Sequence, residues 1–171
     1  MIRHLTQADY QTMPWANGRG VTVEMLRMER DGALWWRLSR ARVVEDGDFS
    51  HFPGIERSLT VISGPGFDLV GAGIRLAARP LVPVAFAGDV AIRAVGVVAP
   101  SDDFNVMTAR GMALPEVRVP DGGDLAKGGT LVMFALGAAF VAGVRMARHD
   151  LVVTDEAASV AGQVIAVRVF G

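Results

Sequence analysis

Apolar and polar residues alternate along most of this chain with the period of two that a half-buried strand requires. Val21, Val23 and Met25 alternate with Thr22 and Glu24, and Trp35, Arg37, Ser39, Ala41 and Val43 face away from Trp36, Leu38, Arg40 and Arg42. Further short β-branched runs lie at 58–63, 66–70, 74–77, 90–98, 104–108, 116–119, 130–136, 150–154 and 163–170. Glycine and proline cut these runs to strand length, as at Pro53-Gly54 and Gly64-Pro65-Gly66. The pattern predicts about ten short strands and an all-β sandwich, jelly roll or barrel. Only Leu5 to Tyr10 has room for a helical turn. The longest uncharged stretch, Gly128 to Val144, has seventeen residues and four glycines. A spanning helix needs about 20 apolar residues, so this stretch is expected to form two buried strands and a turn.

The chain also repeats itself. Residues 72–82, AGIRLAARPLV, align without gaps on residues 142–152, AGVRMARHDLV, with six of eleven positions identical. The same offset matches Val90-Ala91 with Val160-Ala161, and Val97 with Val167. Two related β-units are expected, the first within 1–111 and the second within 112–171, with Pro100 to Gly129 as the crossover.

Composition narrows the chemistry. Of 171 residues, 51% are hydrophobic, which excludes disorder, and none is cysteine. Disulfides, thiolate metal sites and cysteine nucleophiles are thereby excluded. Seventeen Lys and Arg against eighteen Asp and Glu leave a net charge of -1, so there is no basic excess to draw nucleic acid. The N-terminus has no apolar run of the secretory kind, and a cytoplasmic location is expected.

The three histidines, His4, His51 and His149, are far apart and form no His-x-His pair. His51 is expected in a turn and His149 at a strand edge, and no metal is expected. Three segments are more polar than barrel turns require. Met13 to Gly20 holds Trp15 and an Asn17-Gly18 turn. Phe49 to Arg57 is an aromatic turn leading into a strand, where Arg57 can either clamp a carboxylate at a barrel mouth or pair with Glu56 or Asp48 in solvent. In 102–111, Asp103, Asn105 and Met107 share one strand face, either a pocket wall or a solvated edge.

At these segments the sequence resembles the HutD/Ves family. The shared motifs are Pro-Trp-x-Asn-Gly at Pro14 to Gly18, Trp-Arg-x-Ser-x-Ala at Trp36 to Ala41, Phe-Ser-x-Phe-Pro-Gly-x-x-Arg at Phe49 to Arg57, and Asp-Phe-Asn-x-Met at Asp103 to Met107. Phe86 to Asp89 also matches that family's Phe-x-Gly-Asp turn. The resemblance covers residues 3 to 111; beyond them only strand pattern and length agree. It implies a cupin-type fold with two β-barrels, a bicupin, encoded beside bacterial histidine-utilisation enzymes and without an established catalytic activity. It further implies sensing or buffering of a pathway intermediate such as urocanate or formylglutamate, and so regulation of histidine catabolism. Ala16 stands where the family often has lysine and Arg19 where it often has glycine, so ligand preference need not carry over.

Together the residues and the resemblance lead us to expect a metal-free cupin without cofactor that binds a small carboxylate metabolite, with no nucleic-acid or membrane partner. Arg57 would pair with the carboxylate, Asn17 and Asn105 would supply directional hydrogen bonds, Trp15, Phe52 and Met107 would form the apolar wall, and Ser39 would line the cavity. Asp103 completes the expected set. In the alternative, a cupin isomerase or hydrolase acting on a small polar metabolite, Asp103 would be the general acid or base. A homodimer pairing through barrel faces is a further alternative.

Overall fold

A computed structural model describes residues 1–15 and 18–171. Asn17 and the departure at Ala16 lie outside the described residues. In chain order the strands are β1 (Ile2–Leu5), β2 (Gln11–Pro14), β3 (Val21–Arg30), β4 (Ala33–Val43), β5 (Gly47–Asp48), β6 (Ile55–Ser63), β7 (Phe67–Gly71), β8 (Ile74–Ala78) and β9 (Val84–Ala87). They continue with β10 (Ile92–Val95), β11 (Ser101–Ala109), β12 (Glu116–Arg118), β13 (Asp121–Leu125), β14 (Thr130–Ala135), β15 (Ala139–Val141), β16 (Val144–Met146), β17 (Leu151–Thr154) and β18 (Ala158–Val169). The helical turn expected near the N-terminus is a single 3-10 turn, Gln7–Asp9, where the Thr6 backbone N–H donates to the Asp9 carboxylate at 2.8 Å. Strands outnumber the expected ten because β1, β2, β5, β9, β13 and β16, all short, form outside the runs read from alternation; the run at 90–98 contributes only β10 before the chain turns at Gly96. No helix among the described residues is long and apolar enough to cross a membrane.

The chain divides into two compact units. Gln11–Gly111 holds two antiparallel sheets, one in the order β2-β3-β4-β11-β6-β9 and one in the order β5-β10-β7-β8. Between them lie Val43, Leu59, Val61, Phe67, Leu69, Ala78, Phe86, Ile92 and Ala94, all buried. β11 is central, with β4 on one side and β6 on the other, and all its residues are buried except the half-buried Asp102 and Ala109.

Met1–Tyr10 and Met112–Gly171 form the other unit. Its strands run β1-β17-β14-β18-β15-β16, with β12 and β13 also paired to β18. Its interior is solid with Leu125, Leu131, Met133, Val141, Met146, Val152, Val164 and Ala166. The first ten residues belong here, rather than with the segment that follows them, because Ile2 to Leu5 pair with Thr154 to Leu151. The uncharged stretch from Gly128 folds as β14, a turn and β15, and both strands are mainly buried.

Within each unit the echoed segments make a hairpin. Ala72-Gly73 joins β7 to β8 and Ala142-Gly143 joins β15 to β16, with the glycines at φ +71° and +79°. The more distant matches are not equivalent: Val90 precedes β10 in a turn, whereas Val160 lies inside β18. His149 also departs from expectation. It sits in the turn before β17 at φ +72°, stacked on Phe134 with centroids 5.3 Å apart.

Candidate functional site

Strand register gathers the polar residues of the 11–111 unit. Met107 lies between Arg37 on β4 and Arg57 on β6; one pleat further along, Asn105 lies between Ser39 and Leu59; next, Asp103 lies between Ala41 and Val61. The period of two keeps Asp103, Asn105 and Met107 on one face of β11 and Arg37, Ser39, Ala41 and Val43 on one face of β4. That shared face lines a cavity of about 280 Å³, closed by Trp15, Thr22, Asp48, Phe49, Ser50 and Phe52. The Trp15 indole donates to the Thr22 hydroxyl at 2.9 Å.

Arg57 is 7% exposed. Its guanidinium sits 5.5, 5.3 and 5.0 Å from the ring centroids of Phe49, Phe52 and Phe86, a cation–π surround. It donates to the Ser50 carbonyl at 3.3 Å and to Asn105 Oδ1 at 3.2 Å. Both acceptors are neutral, and the buried Nε–H has no partner. Burial among the rings pushes its pKa down to about 10, against the pull of the Asp103 charge, so it remains a cation at neutral pH.

Arg37 is the second buried cation, but it is already neutralised. Its Nε donates to Glu24 on β3, and one terminal nitrogen lies 4.0 Å from the Met107 sulfur. Asp103 is 1% exposed. Burial pushes its carboxyl up to about 7, opposed by the hydrogen bond from the Asn105 amide and by the Arg57 charge. The Asn105 side chain thus bridges the two ionisable groups: its NH2 donates to Asp103 and its oxygen accepts from Arg57.

The loop from Phe49 to Gly54 supplies one wall, and its backbone is pinned to the turn that follows β9. Phe52 N–H donates to the Gly88 carbonyl at 2.9 Å, Gly88 N–H to the Ile55 carbonyl at 2.7 Å, and Gly54 N–H to the Asp89 carboxylate at 2.9 Å. His51, in this turn, has its ring nitrogen 2.7 Å from the Asp89 carbonyl and is exposed. Arg110 spans Asp89 and Glu56. Glu56 is therefore engaged away from Arg57, and the solvent pairing considered for Arg57 does not occur.

Of the residues singled out from sequence, Trp15, Ser39, Phe52, Arg57, Asp103, Asn105 and Met107 all line this one cavity. Sequence reasoning did not single out Arg37, Phe49, Ala41, Val43 or Asp48. Arg37, Ala41 and Val43 share the alternating face that carries Ser39, so that signal was present. Among the described residues no three His, Asp or Glu side chains converge as a metal site would require.

A family model described as HutD matches residues 7–168. A Pseudomonas putida protein described as an uncharacterized 21.2 kDa protein in the hutC 3' region is 37% identical over 113 residues. That match takes in 63% of this chain and 58% of the relative, so it spans little more than half of the relative's length. The solved structure of HutD from Pseudomonas fluorescens SBW25 superposes with a TM-score of 0.91 at 30% identity, covering 99% of this chain and 98% of that one. A conserved protein of unknown function from Pseudomonas aeruginosa PAO1 gives a TM-score of 0.89 at 28% identity over the whole of both chains. YlbA from E. coli shares the fold at 12% identity, with a TM-score of 0.74 over 98% of this chain and 90% of that one. The all-β architecture is accordingly cupin-like.

Proposed function

This chain belongs to the HutD family, and from that premise we propose that its 11–111 unit binds a small carboxylate and senses or buffers an intermediate of histidine degradation, urocanate or formylglutamate, so modulating histidine utilisation. The observation that carries the reading is the electrostatic state of Arg57. A guanidinium held between three aromatic rings, with neutral acceptors on two nitrogens and an unsatisfied Nε–H, is costly to bury unless an anion completes it. A carboxylate matches the guanidinium fork in shape and charge. Asn105 and Ser39 add polar groups beside it, and Trp15, Phe52 and Met107 offer apolar surface for the rest of a small organic acid. Asn17 belongs to the proposed set through the Pro-Trp-x-Asn-Gly motif.

Calorimetric titration of N-formylglutamate and of urocanate into the wild type and Arg57→Ala tests this. Removing the clamp is expected to cost about 2–5 kcal/mol of binding free energy; equal affinity in both proteins would sink it.

The enzyme reading keeps one observation in its favour. Asp103, raised to about 7 inside a cavity, has the acidity a general acid or base needs near neutral pH. Incubation with wild type that returns both compounds unchanged removes that reading for urocanate and N-formylglutamate.

We further propose that the two units descend from one duplicated β-unit, in the bicupin manner. In the 11–111 unit the pairings, apart from β2 with β3 and β3 with β4, are β4 with β11, β5 with β10, β10 with β7, β7 with β8, β11 with β6, and β6 with β9. In the other, apart from β1 with β17, they are β12, β13, β15 and β14 each with β18, β15 with β16, and β14 with β17. The second series reproduces the first if β18 does the work of β10 and β11 together. The shared hairpin sequence supports the same reading.

A further inference from the structure

We infer that anion capture in this cavity is proton-coupled: a carboxylate that seats on Arg57 enters together with one proton, which the Asp103 carboxyl takes up. The inference rests on the carboxylate reading above and adds to it the residue that sets its charge requirement.

Four charged groups line the cavity: Arg37, Asp48, Arg57 and Asp103. Arg37 is committed to Glu24, which faces it from β3. The Asp48 side chain is 90% exposed and pairs loosely with Arg93 at 3.9 Å, so water screens it. The remaining charges around Asp103 have partners of their own: Asp102 and Glu56 lie on the opposite strand faces, and Arg27 shares the face of Arg37, directly across from it. On β11, Asp102 is met by Ser63 and Arg42; on β6, Glu56 is met by Arg110; on β3, Arg27 is met by Glu24 and Glu29. On β4, Arg40 alternates away from Ser39 and Ala41. Arg57 and Asp103 therefore determine the charge inside. With Asp103 ionised the pair is already balanced, and an entering anion leaves a net negative charge in a low-dielectric space. With Asp103 protonated, Arg57 offers the anion one whole positive charge.

Geometry makes the two states communicate. The Asn105 amide contacts both groups at once, so a carboxylate drawn to Arg57 is placed next to the Asp103 end of the same relay. Two carboxylates sharing such an enclosure raise the proton affinity of one. Once protonated, Asp103 becomes a hydroxyl donor that can face the incoming oxygen. Burial has already brought Asp103 to about 7, so the proton is available near neutral pH.

The principal probe is N-formylglutamate, whose carboxyls ionise far below neutral pH; urocanate serves as the second, with the titration of its own imidazole measured separately. Binding to the full-length wild type is measured between pH 6 and 9 in two buffers of different ionisation enthalpy, which counts protons taken up. The expected result is an uptake rising toward one proton above neutral pH, and an affinity that falls by up to about tenfold per pH unit there. In Asp103→Asn, uptake is expected to vanish and the affinity, whatever its level, to become flat with pH. Binding by the wild type without proton uptake overturns the coupling but leaves the carboxylate reading standing. Uptake that persists in Asp103→Asn overturns the assignment to Asp103. Failure of both compounds to bind the wild type removes the carboxylate reading and this inference with it.

Discussion

Asp103 titrates differently in the folded and unfolded chain, and stability must register the difference. Its folded value, about 7, lies above the ordinary 3.8 because burial penalises the charged form. Between those values the folded protein holds a proton that the unfolded chain has released. The stabilisation linked to that proton is complete below about pH 4 and is lost as pH rises through about 7. Asp103→Asn should flatten this part of the profile. Thermal midpoints recorded from pH 5 to 8 should fall with pH in the wild type relative to the variant, and parallel curves would show that Asp103 does not titrate in this range. At this scale much of the cavity was legible. Asp103, Asn105 and Met107 were placed on one face by alternation alone, and strand pairing then decided that the face was a wall rather than a wet edge. The Arg37–Glu24 pair was not legible. Glu24 stands directly across from Ser39, and a register shift follows between Glu24 and Leu26; no spacing rule along one strand reveals such a diagonal partner.

Elements determine whether those residues stay aimed at one another, and the loop from Phe49 to Gly54 is the demanding one. Gly88 allows the turn after β9 to press against it: a Cβ there would lie 2.4 Å from the Phe52 carbonyl oxygen and 2.8 Å from that of Ile55. Both contacts are to backbone, so neither gives way cheaply. Gly88→Ala is expected to destabilise the protein by about 1–3 kcal/mol in urea unfolding and to weaken N-formylglutamate binding, because Phe52 and Ser50 ride on the displaced segment. A variant with unchanged affinity would show that this loop does not hold the site's wall. The Phe-x-Gly-Asp motif was visible in the sequence, but its purpose was not. A close backbone approach between segments more than thirty residues apart leaves no trace beyond the glycine itself.

Across the whole molecule, the proposed duplication gives the two units one pairing scheme with different interiors. Where the 11–111 unit has Asp103, Asn105 and Met107 against β6, the other has Val164, Ala166 and Arg168 against β14, and the two apolar residues join a closed core. Under that proposal the short echo around Ala72 and Ala142 persists because hairpin turns constrain sequence. The rest of the proposed correspondence leaves no sequence trace, since a wall that faces a cavity and a wall that faces a core select different residues. The units also differ in continuity. β18 runs unbroken through twelve residues and pairs with β12, β13, β14 and β15, whereas β10 and β11 divide that work across a gap containing Gly96 and Pro100. Amide hydrogen exchange should follow this division. Peptides from β12 to β18 are expected to lose protection in one step, while β5, β7, β8 and β10 exchange ahead of β4, β6 and β11; a single common rate throughout 11–111 would contradict this. Separately opening ladders would give the cavity a way to breathe: the sheet that carries Asp48 can fray while the one that carries Arg57 and Asp103 holds its register.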